Sequence, residues 1–157
     1  MGSSLQLLTS TDIRGALRLA NELHSMPTAP HRRRRHLIEG LCKLLNAHVG
    51  LNLTSPAGDG KPIDGQTSVV TVGWPHADDE RAAAQHFKAN CRADPMYERI
   101  VDHTARNGYA LATCRRSDFF NAAAWAAIPL VRHRRQAMKI DECIVSMYPL
   151  PRTNTSA

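Results

Sequence analysis

Between His36 and Thr54 a helical pattern of apolar residues passes directly into a strand pattern, and this stretch constrains the fold more than any other. Leu37, Ile38, Leu41, Cys42, Leu44 and Leu45 recur at three- and four-residue spacing, which gathers them on one helix face. Ala47, Val49, Leu51 and Leu53 then alternate with His48, Gly50, Asn52 and Thr54, the period of a strand buried on one face. Only Asn46 and Ala47 separate the patterns, so the helix must fold back onto the sheet its own strand begins. The junction specifies an α/β core and no particular chemistry.

The rest of the chain extends that core. Asp12 is suited to cap a first helix ending near Ser25, with Ile13, Leu17, Ala20, Leu23 and His24 along one side. The prolines at 27 and 30 disfavour helix in the residues before them and mark a linker, so the second helix starts at Thr28 or Pro30. A loop over 55–65, dense in Gly, Pro and Asp, leads to a strand from Gln66 to Trp74 in which Ser68, Val70, Val72 and Trp74 share a face. Asp78, Asp79 and Glu80 suit the positive end of a third helix, with Ala83, Ala84 and Phe87 inward. Asp94-Pro95 places a capping carboxylate and an N1 proline at the start of a fourth, ended by Asn107-Gly108. A strand over Tyr109–Cys114 follows, then a helix capped by Ser117 and ended or kinked at Pro129, then a short basic turn. Glu142–Tyr148 reads as a strand packed on both faces. The order predicts one α+β domain over residues 12–151, a mainly antiparallel sheet flanked by helices, between a tail at 1–11 and a disordered tail at 152–157.

Composition narrows the function classes. No apolar run approaches the ~18 residues of a membrane span, and Met1-Gly2-Ser3-Ser4 lacks the start of a secretory signal, so a cytoplasmic protein without a membrane partner is expected. The formal charge of +6 is concentrated at Arg32–Arg35, Arg115-Arg116 and Arg132, Arg134 and Arg135. No aromatic residues interleave with these runs, which are therefore read as a solvated basic surface rather than a nucleic-acid platform. Cys42, Cys91, Cys114 and Cys143 form no C-x-x-C pair, so neither a zinc site nor any other cofactor is expected and reduced, buried thiols are. Eight histidines appear in neither a G-x-S-x-G nor an H-E-x-x-H context, and no catalytic residues are assigned.

The run Arg34-Arg35-His36-Leu37-Ile38-Glu39-Gly40-Leu41-Cys42-Lys43-Leu44, followed by Ala47-His48-Val49-Gly50-Leu51, resembles the N-terminal GAF/PAS-like sensor region of LuxR-type bacterial transcriptional regulators. Val72-Gly73-Trp74, Ala93-Asp94-Pro95, Trp125 and the run from Ile140 to Met147 agree with it in order. The resemblance implies a non-catalytic sensory domain with a small-molecule ligand, and a homodimer or a pairing with a full-length regulator through the N-terminal helices. Trp74, Tyr97, Tyr109 and Trp125 are the candidate lining residues, aromatic groups with a polar atom able to orient a ligand. Asp94 matches the aspartate that lines the pocket of the acyl-homoserine-lactone sensors, although Asn90 stands where those sensors carry an aromatic. Two departures stand out: no helix-turn-helix follows, so direct sequence-specific DNA binding is not expected of this chain, and no further strand follows Tyr148 to complete the sheet. The sheet is therefore expected to lack its last strand, as in a truncated regulator or one completed by a partner strand. A basic nucleic-acid-associated or protein-interaction module is the alternative, and a small enzyme the third reading.

Overall fold

The computed structural model describes residues 9–27, 29–54, 57–58, 61–62, 67–91, 93–107 and 112–147. The protein is α+β, with six α-helices and antiparallel two-stranded ladders, among the described residues. The chain divides into two compact units: Met1–Thr54 with Ser68–Gln85, and Ser55–Thr67 with His86–Ala157.

The first unit opens with helix α1, Ser10–Ser25. Its N-cap is Thr9 rather than Asp12, and Asp12 at N3 closes a capping box: Thr9 N donates to Asp12 Oδ2 at 2.8 Å, and Asp12 N donates back to Thr9 Oγ1 at 3.2 Å. The Thr9 hydroxyl also donates to Asp12 Oδ2 at 2.6 Å, and this bond first, then the one from Thr9 N, favours the ionised carboxylate and lowers the Asp12 pKa. Helix α2, Pro30–Leu45, starts at the proline and ends at Asn46, which takes the left-handed conformation at φ 51°. Strand β1, Gly50–Thr54, follows and pairs antiparallel with β4, Ser68–Val72, in the register Gly50↔Val72 to Thr54↔Ser68. Between them Ala57–Gly58 (β2) and Lys61–Pro62 (β3) form a two-residue ladder that belongs to the second unit. Helix α3, Ala77–Asn90, begins in the first unit and carries Asp78, Asp79 and Glu80 in its first turn, where the helix dipole favours them.

Helix α2 packs on the side of the sheet opposite to the one the alternation suggests. Gly50, Asn52 and Thr54 share a face with Val72, Val70 and Ser68, and α2 lies on that face: Arg34 Nη1 donates to Thr54 Oγ1 at 2.9 Å and to Ser68 Oγ at 3.3 Å. The buried apolar atoms come from β4, where Val70 and Val72 are buried, while Leu53 on the other face is exposed. Gly50 is what permits the approach, because a Cβ there would lie 2.6 Å from Cys42 Sγ and closer still to Ile38 Cγ2.

In the second unit α4, Pro95–Arg106, is capped by Asp94, whose Oδ1 accepts from Met96 N at 2.8 Å. Strand β5, Ala112–Arg115, pairs antiparallel with β6, Ile144–Met147. Ser117 lies in a 3-10 turn, Arg116–Asp118, and the next helix is α5, Ala122–Ala127, capped instead by Asn121. Pro129 then opens α6, Pro129–Met138, so the stretch read as a basic turn is a helix of its own. The core joins Met96, Trp125 and Val131 in one cluster, and Ile100, Ala112 and Cys114 in another. Strand β6 is one-sided: Val145 packs on both clusters, while Ile144 is 47% exposed and Ser146 shares a hydroxyl contact with Thr113. The strand read over Tyr109–Cys114 begins at Ala112 among the described residues.

The packing at Gly50 gives a direct test. Gly50→Ala should lower stability by about 1–3 kcal/mol, since the added methyl must displace side chains of α2. Urea denaturation checks it; an unchanged midpoint would place α2 elsewhere.

Candidate functional site

Two regions of the protein stand out chemically, one polar and buried, the other apolar and exposed. The polar one is in the second unit and centres on Arg134. In α6, Val131, Arg134 and Met138 recur at three- and four-residue spacing, so Arg134 occupies a position on the inward face and is only 6% exposed. Its Nη2 lies 2.7 Å from Asp94 Oδ2, its Nε donates to His86 Nε2 at 3.3 Å, and its guanidinium sits 4.7 Å from the centroid of the Phe87 ring. The Asp94 contact is an ion pair without hydrogen-bond alignment, and Nη2 makes no hydrogen bond among the described residues. In the sequence its run reads as solvated charge; the helical spacing from Val131 is the signal that separates Arg134 from the outward arginines.

The residues proposed to line a ligand pocket fall in different places. Trp74 is in the first unit, half-buried, and its Nε1 donates to Thr71 Oγ1. Asp94, Tyr97 and Trp125 are in the second, whereas Tyr109 lies outside the described residues. Asp94 uses both carboxylate oxygens, one for the α4 cap and one for Arg134. Tyr97 is half-buried in the first turn of α4. Trp125 is buried against Met96 and Val131, stacks at a tilt on Phe120 at 5.4 Å, and donates from Nε1 to the Asp141 carbonyl at 2.9 Å. The structure thus brings Trp125 into the core beside the residue next but one to Asp94.

Several arginines of the basic runs are tied to carboxylates. Arg35 pairs with Glu80 at 2.7 Å and Glu39 at 3.1 Å, which raises its pKa, chiefly through the Glu80 hydrogen bond. Arg116 pairs with Glu142, and Arg135 with Asp141 at 3.1 Å. Among the described residues no group of His, Cys, Asp or Glu could hold a metal ion. All four cysteines are free; burial pushes the Cys143 thiol up to about 11, with Asp94 and Glu142 adding to the rise and Arg134 and Arg116 opposing it.

The apolar region is the α1–α2 hairpin of the first unit. The two helices run antiparallel: Leu44 covers Gly15, Leu19 covers Gly40, and His36 Nε2 meets Glu22 Oε2 at 2.8 Å. With these contacts fixed, the helical period puts Ile13, Ala16, Leu17, Ala20 and Leu23 of α1 on the same flank as Leu37, Leu41 and Leu45 of α2. The opposite flank is polar, with Arg18, Glu22, His36, Glu39 and Lys43. The apolar flank is open: Ile13 is 49% exposed, Leu17 61%, Leu41 40% and Leu45 55%. Neighbouring aliphatic side chains this exposed mark an interaction surface more often than singly scattered ones do.

Compared with models of protein families, with curated proteins and with solved structures, the chain matches none significantly.

Two outcomes follow from the Arg134 cluster. Asp94→Ala removes a helix cap, at a cost of about 1 kcal/mol, and leaves a buried cation without its counter-charge, at a cost of about 3–5 kcal/mol. The double variant Asp94→Ala/Arg134→Met should recover part of the second loss in denaturant titrations. Native Cys143 should react with iodoacetamide at pH 8 more slowly, by about 10-fold or more, than a thiol at its ordinary value of 9.0, since its thiolate fraction is about 100-fold lower and the greater nucleophilicity of a more basic thiolate offsets only part of that. Mass-spectrometric alkylation kinetics would expose a reactive thiol at once.

Proposed function

We propose that this chain is a non-catalytic regulatory module of the sensor type, with a GAF/PAS-like core similar to the N-terminal region of LuxR-type regulators. Its output is pairing through the apolar flank of the α1–α2 hairpin. The observation that carries the reading is the exposure of Ile13, Leu17, Leu41 and Leu45 on one side of a helical hairpin whose other side is charged. Segregation of this kind places the cost of exposed aliphatic surface on one side and offers a reward only when that side is covered.

A second copy of the chain fits this flank best. Its eight residues are all aliphatic, so nothing on it selects a partner of opposite charge, and a twofold axis sets the same residues against each other. Two antiparallel hairpins meeting this way form a four-helix arrangement with aliphatic layers between them. A full-length regulator carrying the same flank would pair by the same contacts. In this reading a small molecule, which the sensor resemblance implies, is an input upstream of pairing. Reading a DNA sequence directly is no part of it.

Size-exclusion chromatography with light scattering tests the reading on the intact chain. The expected result is a concentration-dependent dimer that Leu17→Glu and Leu45→Glu each convert to monomer, with circular-dichroism melting of the dilute protein little changed. A wild-type chain that stays monomeric up to its solubility limit would sink the proposal.

A further inference from the structure

The second unit holds a polar arrangement that pairing does not use. His86 and Phe87 lie in the last turns of α3, Asp94 caps α4, and His133 and Arg134 lie in α6. A guanidinium has only donors, so the 3.3 Å contact from Arg134 Nε makes His86 Nε2 the acceptor and leaves the ring proton on Nδ1. His86 must therefore be neutral for this contact to exist. Its ring also stacks on His133 at 5.6 Å, and meets Phe87 edge-on at 5.6 Å.

We propose that His86, Arg134 and Asp94 form a pH-sensitive clasp that holds the last turns of α3 and the start of α4 to α6 near neutral pH and loosens on acidification. Protonation adds a hydrogen at His86 Nε2, which then points at the Nε–H of Arg134. The bond is lost, and two cations face each other at a distance that had been a hydrogen bond. Arg134 cannot relieve the clash by giving up its proton, nor by moving to solvent without abandoning Asp94 and the Phe87 ring. The histidine is the part that yields, because it is only half-buried.

The groups facing His86 determine the direction. Burial lowers its pKa from the ordinary 6.5, Arg134 and His133 on α6 lower it further, and Asp94 before α4 opposes them. The unfolded chain takes up this proton near 6.5 and the folded chain only at lower pH, so between those values the unfolded state binds more protons. The clasp's contribution is complete above 6.5 and declines as pH falls below it.

The experiment combines an NMR titration of His86 in the full chain with thermal melts of wild type and His86→Gln from pH 7.5 to pH 5. Glutamine keeps an acceptor for Arg134 and does not titrate. The expected result is a His86 resonance titrating below 6.5, and a wild-type Tm that drops by roughly 3 °C more than that of the variant. Parallel pH profiles for the two proteins overturn the clasp, as does a His86 titration at or above the ordinary value. If His86→Gln does not fold, the wild-type titration decides alone.

Discussion

The first unit depends on how closely α2 can approach the β1–β4 ladder. Gly50 removes the side chain that would hold Ile38 and Cys42 away, and the buried bulk comes from Val70 and Val72 on the neighbouring strand. At the far end Arg34 bridges Thr54 and Ser68, so the helix is seated by an apolar contact at one end of the ladder and hydrogen bonds at the other. That seating fixes the rotation of α2 about its axis. One side is then given to the sheet and one to α1, through Gly40. The leucines at 41 and 45 are left on a flank that neither covers. The surface argued to pair follows from the approach at Gly50.

The second unit solves a different problem. A buried guanidinium is costly unless charge and hydrogen bonding compensate it. Arg134 finds a carboxylate, a ring nitrogen and an aromatic face from two places in the chain order: Asp94 ahead of α4, and His86 and Phe87 at the end of α3. Each of these partners is also held by its own helix, Asp94 through the cap on Met96 N. A charge that must be satisfied by specific partners tolerates fewer arrangements than an apolar side chain of the same volume.

Local signals were the legible ones. The helix-to-strand junction, the cap at Asp94, the proline start of α2 and the α+β class could all be read from the order of residues, because each rests on contacts within a few positions. Tertiary choices could not. The alternation of Val49, Leu51 and Leu53 shows that a strand has two unlike faces, not which one a helix will cover; Gly50 decides that, and a glycine in a strand has no apolar signature. Thr9 displaced Asp12 as cap because the box needs a hydroxyl three residues before the acid, a pairing rather than a single residue type. Arg134 was hidden inside a run of like charges, where only the spacing from Val131 separates an inward position from outward ones. The indole N–H groups that make Trp74 and Trp125 ligand candidates in the sequence serve Thr71 and the Asp141 carbonyl in the fold.

Catalytic groups are usually held in states that are costly in isolation: a carboxylate without partners, a thiolate, a histidine poised between protonation states. The candidates in this chain are held the other way. Asp94 is used at both oxygens, and Cys143 is kept as a thiol by burial. The described residues also leave aliphatic side chains in an unfavourable state: Leu17, Leu45, Ile13 and Leu41 in contact with water. Free energy held in exposed aliphatic side chains is released by covering them, and covering them is binding.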